Sequence, residues 1–481
     1  MISLFIKEQR RYTQKELISL FDSNSDEIVN IIKKLKEYGI LKLVKDSTLQ
    51  RDMSDLFEED IEIKDIEDDE GDFFCVFTFV GVITAFGRVL KCYPKYIQNT
   101  EKLTKNLAQV IQVIEKYNSK EQIIKMFNDS DENKSYNLLA VMLYLLHDYY
   151  EYGSYDNRLD VTELNGDGEI LWDKTINECF TFISNNRPYY MDMYTQKNIH
   201  DEFNYFKRLH ELIISICSKE IRSSGLEELF GMLPVDISDE ELDDFGDTEE
   251  ILNNILVELN LQFITRKQLL LKTMYAYIAQ SSHLNDVTNF SLYGTNNFNL
   301  IWEDVCSEVL ENKLETPLQD LPFTIDGFKK SSNLLDLVEK PHWHDKNECF
   351  TKDAKNTLIP DIISFMKIDN SYHFIIFDAK YYNLVLEKER LSGYPGVSDV
   401  TKQYLYQLAY KRFIKKGGFL SVKNCFLMPT EESVVIEKGY VNMSMLDDLG
   451  LESIQIRQLP VNEIYSYYLR NKKFDITRLN L

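Results

Sequence analysis

One stretch of the sequence constrains the fold more than any other, the run LIPDIISFMKIDNSYHFIIFDAKYY at residues 358–382. It contains two apolar, β-rich segments, residues 362–368 and 372–377, and the turn-forming residues Asp369, Asn370 and Ser371 lie between them. Two β-rich segments joined by a cluster of turn residues are typical of a β-hairpin. The sequence therefore predicts an antiparallel strand pair here.

Charged residues lie at the open end of this predicted hairpin. Asp361 comes directly before the first strand, and Asp378 and Lys380 end the second. Residues two apart in a strand share a face, so Asp378 and Lys380 are predicted to lie on one side while Ala379 faces the core. Antiparallel pairing would bring Asp361 close to Asp378. Two carboxylates and an ammonium group suit metal-assisted hydrolysis of a phosphodiester, because Mg²⁺ prefers oxygen ligands.

The order Pro-Asp, sixteen residues, then Asp-Ala-Lys resembles the motif of the PD-(D/E)XK nuclease superfamily. The resemblance implies that Asp361 and Asp378 bind Mg²⁺, for which Mn²⁺ is an acceptable substitute, and that Lys380 serves the attacking water. Surface charges at strand ends are the alternative explanation for the triplet taken alone.

Two predicted helices flank the motif. The helix at residues 299–314 carries Glu303, where members of this superfamily often place a glutamate; a solvated helix residue is the alternative. The helix at residues 399–413 carries Gln407 and Tyr410, which match a Gln and a Tyr of McrC-related nucleases; ordinary helix packing is the alternative. We expect these two residues, with Lys411 and Arg412 beside them, to contact DNA or order the site.

Further segments resemble the LlaJI-type restriction endonucleases, which are akin to the McrC nuclease of McrBC systems. These segments are FTFVGVI, FGRVL, VLKCYPKYI, GEILWDKTI, IWEDVC, LIPDII, FDAKYY and PGVSDVTKQYLYQLAY. The resemblance implies a subunit that cleaves double-stranded DNA in a restriction system against phage, together with a separate McrB-like AAA+ GTPase. The chain contains no G-x-x-x-x-G-K-[ST], so a nucleotide-driven motor would be another chain.

Two alternatives to this function stay open. One is a stand-alone type II restriction endonuclease, which would cut a defined site with Mg²⁺ alone. The other, of a different class, is a winged-helix DNA-binding or regulatory protein whose nuclease fold is not catalytic. A homo-oligomer is compatible with each.

Length and composition indicate a globular protein of the cytoplasm. The 481 residues allow about three domains, and the hydrophobic content of 44% is enough for real cores. The seven cysteines are scattered without a C-x-x-C pair, so neither a zinc site nor a disulfide framework is indicated. The N-terminus lacks the apolar core of a signal peptide, and the longest apolar run, residues 73–86, is too short to span a bilayer. We therefore expect no membrane segment.

A net charge of −24 is unfavourable for a DNA-cleaving enzyme, but the distribution of the charge resolves most of the conflict. Residues 52–72 hold twelve acids and one lysine, and residues 236–250 hold nine acids and no base. By contrast, residues 380–423 hold nine bases and three acids, a local charge of +6 beside the predicted site. We interpret the acidic runs as solvated linkers or loops. Docking of a basic partner is the alternative.

The first fifty residues predict a winged-helix domain. Thr13 and Glu16 form a capping-box pattern before one helix, a second helix starts at Ser25 and stops at Gly39, and a strand follows at residues 40–44. DNA binding and protein docking are both common uses of such a domain.

The predicted organisation is thus a winged helix at residues 1–50, an acidic linker at 51–72, a mainly α-helical middle domain with a β-hairpin at 73–289, and an α/β nuclease domain at 290–481. The last has a mixed sheet flanked by helices. We expect the middle domain to dock a partner or DNA.

Other residues that could carry chemistry have weaker support. His342 and His344, two apart beside Trp343, lack a second pair of metal ligands, so a structural or DNA-facing role is the interpretation. Cys306 has no evident histidine partner and is predicted to pack in the core.

Overall fold

A computed structural model describes residues 2–45, 73–118, 137–156, 159–199, 205–280, 283, 284, 286, 290–346 and 349–481. The chain divides into two compact units. The first comprises Met1–Phe127, Glu228–Met232 and Leu292–Leu481, and the second comprises Asn128–Glu227 and Leu233–Ser291. The predicted acidic linker at 51–72 and a predicted helix at 121–127 lie outside the described residues.

The described residues form a mixture of strands and helices, which confirms an α/β protein. The strands are β1 (Ile2–Lys7), β2 (Arg11–Tyr12), β3 (Leu41–Lys45), β4 (Phe73–Phe77), β5 (Val80–Ala85), β6 (Arg88–Tyr93), β7 (Leu159–Leu164), β8 (Glu169–Ile170), β9 (Thr181–Ser184), β10 (Arg187–Tyr190), β11 (Tyr194–Ile199), β12 (Phe290–Thr295), β13 (His342–His344), β14 (Thr351–Asp353), β15 (Ile362–Ile368), β16 (Ser371–Ala379), β17 (Val385–Glu387), β18 (Arg390–Ser392), β19 (Val422–Thr430), β20 (Ile436–Val441) and β21 (Ile454–Pro460).

The α-helices among the described residues are α1 (Gln14–Phe21), α2 (Ser25–Glu37), α3 (Leu103–Asn118), α4 (Leu138–Tyr152), α5 (Trp172–Glu178), α6 (Tyr205–Ser223), α7 (Glu227–Phe230), α8 (Thr248–Leu261), α9 (Thr265–Gln280), α10 (Phe298–Val309), α11 (Val397–Ala409), α12 (Lys411–Gly417) and α13 (Val461–Leu469). Over this part of the chain, no helix combines the length and the apolar character that crossing a membrane requires.

The N-terminal elements follow the predicted order of two helices and a strand. The capping box of Thr13 and Glu16 is formed at the start of α1, and Asn24 caps α2. Strands β2, β4 and β3 form a three-stranded antiparallel sheet beside these helices. The individual elements are confirmed, whereas the assignment of the whole as a winged helix stays a prediction.

Strand β1 is an element that the sequence analysis missed. It pairs in parallel with β6, and β5 and β12 complete a four-stranded sheet of order β1-β6-β5-β12. The apolar run at residues 73–86 contains two strands, β4 and β5, which belong to two different sheets. The reason is Thr78, whose backbone N–H and hydroxyl both bond the carbonyl of Ile40 and so turn the chain from one sheet into the other.

This sheet also places the first predicted domain boundary differently. The hairpin of β5 and β6 was assigned to the middle domain, but it shares a sheet with the N-terminal strand and belongs to the first unit. Gly81 and Gly294 allow the close approach of β5 and β12, because a Cβ at either position would lie under 3 Å from the backbone of the other strand.

The second unit is helical at both ends and β-rich between them. Helix α4 packs against α6 and α9, and α8 packs against α9. Between α4 and α6 the chain forms the sheet β7-β11-β8, the hairpin β9–β10 and α5. A mainly helical middle region was predicted, so this β-rich insertion is a departure from the prediction. Strands β8, β9 and β10 are only two to four residues long, and most of their residues are exposed. Because no buried face alternates with an exposed one, the sequence carries little β-strand pattern here.

The C-terminal part of the first unit is built on the mixed sheet β15-β16-β19-β21-β20. The predicted hairpin is confirmed as the antiparallel pair β15 and β16, while β16, β19 and β21 run in parallel. Strand β16 is buried along most of its length because it has a neighbour on each side and helices over the sheet.

One face of this sheet packs against α11 and α12. Apolar side chains of four strands and these helices form its core, namely Ile363, Phe374, Ile376, Phe426, Met428, Ile454, Ile456, Val400, Tyr404, Tyr406, Tyr410 and Phe413. Alternation along β16 puts Asp378 on the same face as Phe374 and Ile376. Helix α10 is tied to the sheet by Trp302, whose indole N–H donates to the Leu427 carbonyl at 3.2 Å.

A buried carboxylate links the N-terminal strand to the end of β16. Glu8, which follows β1 and is buried, accepts hydrogen bonds from the Tyr381 hydroxyl and from the backbone N–H of Lys95. Burial raises the pKa of Glu8, so the charged form depends on these donors. Since Tyr381 directly follows Lys380, the N-terminal strand braces the segment that carries this lysine.

We expect Tyr381→Phe to destabilise the protein by about 1–3 kcal/mol, because it removes a donor from a buried carboxyl group. Tyr410→Phe is the matched control: Tyr410 is equally buried, but its hydroxyl has no hydrogen-bond partner among the described residues. Urea unfolding of both variants measures the difference. Equal losses of unfolding free energy would contradict the proposed brace.

Candidate active site

The turn between β15 and β16 sets the register of the hairpin. Asp369 and Asn370 form a two-residue loop with φ values of 46° and 65°. Asp and Asn tolerate this left-handed conformation, which hairpin turns of this length require. The resulting register pairs Ile362 with Phe377. It therefore brings Asp361, one residue before β15, to the level of Asp378.

The two aspartates meet at the end of the hairpin. The carboxyl groups of Asp361 and Asp378 hydrogen-bond each other, and Asp361 Oδ2 also accepts the backbone N–H of Ala379 at 2.9 Å. Asp378 is only 4% exposed. The structure thus confirms the close approach of the two carboxyl groups that the spacing predicted.

Lys380 lies between two carboxylates. Its Nζ is 3.0 Å from Asp378 Oδ2 and 3.1 Å from Asp399 Oδ1. Its backbone N–H donates to the Leu427 carbonyl at 2.8 Å, which fixes the chain at the end of β16. The ammonium group is therefore held in place by ion pairs on two sides.

The pKa values in this cluster follow from burial and charge. Burial raises the pKa of Asp378, and the adjacent Asp361 carboxyl raises it further against the opposing charge of Lys380. Burial raises the pKa of Asp361 as well. Burial alone would lower the pKa of Lys380, but the charges of Asp378 and Asp399 outweigh it and raise that pKa. Lys380 is therefore a cation at neutral pH, and the aspartate pair retains a proton more readily than isolated carboxyl groups do.

Asn312, just beyond α10, holds the strand that begins after Asp361. Its Nδ2 donates to the Asp361 carbonyl at 2.9 Å, and its Oδ1 accepts the Ile363 N–H at 3.1 Å. The Lys313 N–H adds a bond to the Ile363 carbonyl at 2.7 Å. The end of α10 therefore fixes the backbone on both sides of the first strand residue.

Glu303 lies on α10 near this cluster. Burial raises its pKa; the charge of Lys380 lowers it and that of Asp378 raises it, so the carboxyl group interacts with both. Within the described ranges, however, no three His, Cys, Asp or Glu side chains are arranged to hold a metal ion. Glu303 therefore does not complete a ligand set with the two aspartates in this structure.

Gln407 and Tyr410 lie in the interior. Gln407 Oε1 accepts from Asn424 Nδ2 at 2.7 Å and from the Glu452 N–H at 3.2 Å, so it connects α11 to β19 and the loop before β21. Tyr410 packs in the core against Phe374. Lys411 and Arg412 are exposed on α12, and the Arg412 guanidinium lies over the Phe328 ring. The structure does not bring these four residues to the aspartate pair, and their role in DNA binding stays a prediction.

Asp399 is the residue of the cluster that sequence reasoning did not assign. It occupies the third position of α11, and its Oδ2 accepts the Gly396 N–H at 3.2 Å in a capping arrangement. A capping acid after the Gly-rich SGYPG loop was visible in the sequence. Nothing local, however, indicates that its second oxygen would pair with Lys380.

The donor set fits a hard divalent cation. Mg²⁺ is commonly held by one or two carboxylates and completed by water and substrate phosphate oxygens. Asp361 and Asp378 supply two such carboxylates, and their shared hydrogen bond and raised pKa values indicate a place where positive charge is favourable.

The other residues that could carry chemistry, His342, His344 and Cys306, are bonded to neighbouring side chains or buried in the core. The His342 ring bonds Asp353 at 2.6 Å and Glu339 at 3.3 Å, and the Thr351 hydroxyl pairs with His344 at 2.9 Å. Cys306 is buried, and burial raises its thiol pKa far above the usual range, as expected for a core cysteine.

Comparison with known proteins gives consistent similarities. The family model of the LlaJI restriction endonuclease matches residues 79–456. The type II restriction enzyme BsuMI component YdjA of Bacillus subtilis (strain 168) is 27% identical over 424 residues, which cover 85% of this chain and 83% of that protein.

Two solved assemblies also resemble the chain. A half-complex of Thermococcus gammatolerans McrB AAA+ hexamers with bound McrC matches at 11% identity and a TM-score of 0.37, covering 98% of this chain and 99% of that one. The McrBC complex of the same organism matches at 12% identity and a TM-score of 0.22, covering 63% and 84%.

We expect Asp378→Asn to stabilise the metal-free protein increasingly as pH rises. An acid with a raised folded-state pKa contributes stability at low pH, and this contribution is lost as pH rises above the ordinary carboxyl range. Because the asparagine side chain does not ionise, the variant does not lose this stability as pH rises. Thermal unfolding in EDTA from acidic to alkaline pH, compared with wild type, measures the effect.

Asp369→Asn is the matched control, since Asp369 is exposed in the turn at the other end of the same hairpin. This variant makes the same chemical change at an exposed position of the hairpin, away from the buried pair. A difference for Asp378→Asn that is flat or shrinks with pH would show that the buried carboxyl does not titrate as described.

Proposed function

This chain belongs to the LlaJI restriction endonuclease family, and from that premise we propose that it is the Mg²⁺-dependent subunit that hydrolyses DNA phosphodiester bonds in a restriction system. The observation that carries this proposal is the convergence of Asp361, Asp378 and Lys380 at one end of a hairpin. Carboxylates beside a held ammonium group suit phosphodiester hydrolysis, in which negative charge builds up on the phosphate.

Asp361 and Asp378 are the residues that would hold the ion, whose chemistry is to polarise the phosphate and lower the pKa of a bound water. Lys380 stays protonated because two carboxylates flank it. It therefore acts by orienting the attacking water and offsetting charge on the phosphate, and not as a proton acceptor. Asp399 positions this ammonium group from α11. Glu303 assists through its field at Lys380 and Asp378.

The DNA backbone is proposed to lie along the cationic surface of α12. Lys411, Arg412, Lys415 and Lys416 are exposed there, within the segment of net positive charge. Exposed cations of this kind neutralise phosphates and give binding that weakens with salt. The acidic runs lie at residues 52–72 and 236–250, outside this segment.

A separate McrB-like AAA+ GTPase is the proposed partner, and the chain has no phosphate-binding loop motif of its own. The second candidate function is a type II restriction endonuclease that cuts without a nucleotide-driven partner. It is favoured by the similarity to the Bacillus subtilis protein, which is a component of a type II restriction enzyme.

We expect Asp378→Asn and Lys380→Ala each to lower DNA cleavage by at least about 100-fold, because each removes a group that acts at the reacting phosphate. Plasmid cleavage in Mg²⁺, with GTP and the proposed GTPase partner present, measures the rate. Asp369→Asn and Lys367→Ala are matched controls on exposed positions of the same hairpin and should cut at the wild-type rate. Cleavage by either site variant at the wild-type rate would remove the active-site assignment.

We expect cleavage to require Mg²⁺ or Mn²⁺ and to depend on GTP and the partner. The purified chain is assayed with EDTA, with Mg²⁺ alone, and with Mg²⁺, GTP and the GTPase encoded beside it. Cutting at a defined site with Mg²⁺ alone would establish the stand-alone type II function. Cutting in EDTA would exclude the metal-dependent mechanism.

A further inference from the structure

The hairpin of β13 and β14 has two faces of different character. His342 pairs with Asp353 and His344 with Thr351, and these four polar side chains bond one another on one face. The opposite face carries Trp343 directly across from Lys352, with Phe350 two residues further along. The two faces therefore divide the hairpin into an internally satisfied side and an aromatic side.

The aromatic face is exposed to solvent. Trp343 is 70% exposed and Phe350 is 58% exposed. The Lys352 ammonium lies 5.9 Å from the centre of the Phe350 ring, so the cation lies beside an aromatic ring on this face. Single exposed hydrophobic residues are common, but two aromatic rings flanking a lysine on one face form a surface suited to a ligand with both stacking and negative groups.

The acidic residues around the hairpin are engaged with the protein itself. Asp353 and Glu339 bond His342, and Asp345 accepts the Phe350 N–H at 3.0 Å. Lys346, Lys352 and Lys355 are exposed on the same segment. Among the paired residues of β13 and β14, Lys352 is the charged side chain on the aromatic face, whereas Asp353 lies on the opposite face with His342.

The hairpin is fixed close to the aspartate pair. The Ala354 N–H bonds the Pro341 carbonyl at 2.9 Å, and the Thr357 hydroxyl bonds the Glu339 carbonyl at 2.7 Å. These bonds close the base of the hairpin. Only three residues lie between Thr357 and Asp361, so their Cα atoms are at most about 14 Å apart. A duplex whose phosphate lies at Asp361 and Asp378 therefore passes beside the hairpin.

We propose that hairpin β13–β14 is a DNA-contacting element beside the cleavage centre, in which Trp343 inserts into a groove against the bases and Lys352 contacts a phosphate. This inference rests on the proposed function, since it takes duplex DNA as the ligand. Aromatic and apolar side chains are used in this way as wedges at base steps, and lysines supply salt-dependent phosphate contacts.

The test uses the fluorescence of Trp343 itself. The chain has three tryptophans, of which Trp302 is buried and Trp172 is exposed. In a full-length Asp378→Asn, Trp172→Phe protein, which leaves the DNA uncut, Trp343 is the exposed indole. Addition of a duplex of about 30 base pairs at low salt should quench its emission, and the additional change Trp343→Phe should abolish this response.

Binding of a labelled duplex by fluorescence anisotropy gives the second readout. We expect Trp343→Ala to weaken binding about 5- to 100-fold, and Lys352→Ala to lower the slope of log affinity against log salt by about one. Tyr440→Ala is the matched control. Tyr440 is 62% exposed on β20, at the opposite edge of the sheet from β15.

The outcomes separate this inference from the nuclease function. Emission of Trp343 that DNA leaves unchanged, or binding by Trp343→Ala as tight as that of wild type, would overturn the DNA-contacting hairpin and favour a protein-docking surface. Such a result leaves the loss of cleavage in Asp378→Asn untouched. Conversely, the wild-type chain could fail to cleave DNA under every condition while DNA still changes the Trp343 emission. That result would support the DNA-contacting hairpin and contradict the nuclease function.

Discussion

Burying two carboxyl groups side by side is unfavourable unless positive charge is close, and the C-terminal sheet is organised around this constraint. Asp361 and Asp378 share a hydrogen bond at the end of β15 and β16, and Lys380 supplies the compensating charge. Asp399 holds the lysine from the other side. A cation between these carboxylates would therefore be favourable, in keeping with the metal-assisted hydrolysis proposed above.

The surrounding structure keeps this cluster rigid by contacts that come from several distant parts of the chain. Asn312 bonds the backbone around Asp361, and Trp302 bonds Leu427 under the same sheet. Glu8, from the N-terminal strand, accepts the hydroxyl proton of Tyr381 next to Lys380. Displacement of a catalytic group by about 1 Å can cost a hundredfold in rate. Under the proposed function, these supports would therefore affect the rate although none of them touches the reacting phosphate.

The distribution of charge reconciles the proposed DNA binding with the overall acidity of the chain. The net charge of −24 would repel DNA if it were spread evenly. The cations of α12 instead lie within residues 380–423, the segment of net positive charge that follows the aspartate pair in the sequence. Salt-dependent binding and the groove contact of Trp343 would then act together, one setting affinity and the other the position of the duplex.

The sequence by itself determined the hairpin and the two carboxyl groups at its end. Two apolar, β-rich segments, the turn residues Asp369 and Asn370 between them, and the spacing of Asp361 from Asp378 are local properties, so they indicate the strands and their register without knowledge of the rest of the chain. The family resemblance and the order of helices around the motif could also be recognised in the sequence, because they too depend on local stretches of residues.

Tertiary structure decided which residues complete the site and which do not. The pairing of Lys380 with Asp399, the brace from Glu8 and the addition of β1 to a sheet with β6 join residues far apart in sequence. The packing of the elements also places Gln407 and Tyr410 in the interior. Among the described residues, Glu303 does not form a set of metal ligands with the two aspartates. Local periodicity shows only which face of an element is apolar; which neighbour covers that face, and which polar groups meet there, depends on how the elements pack.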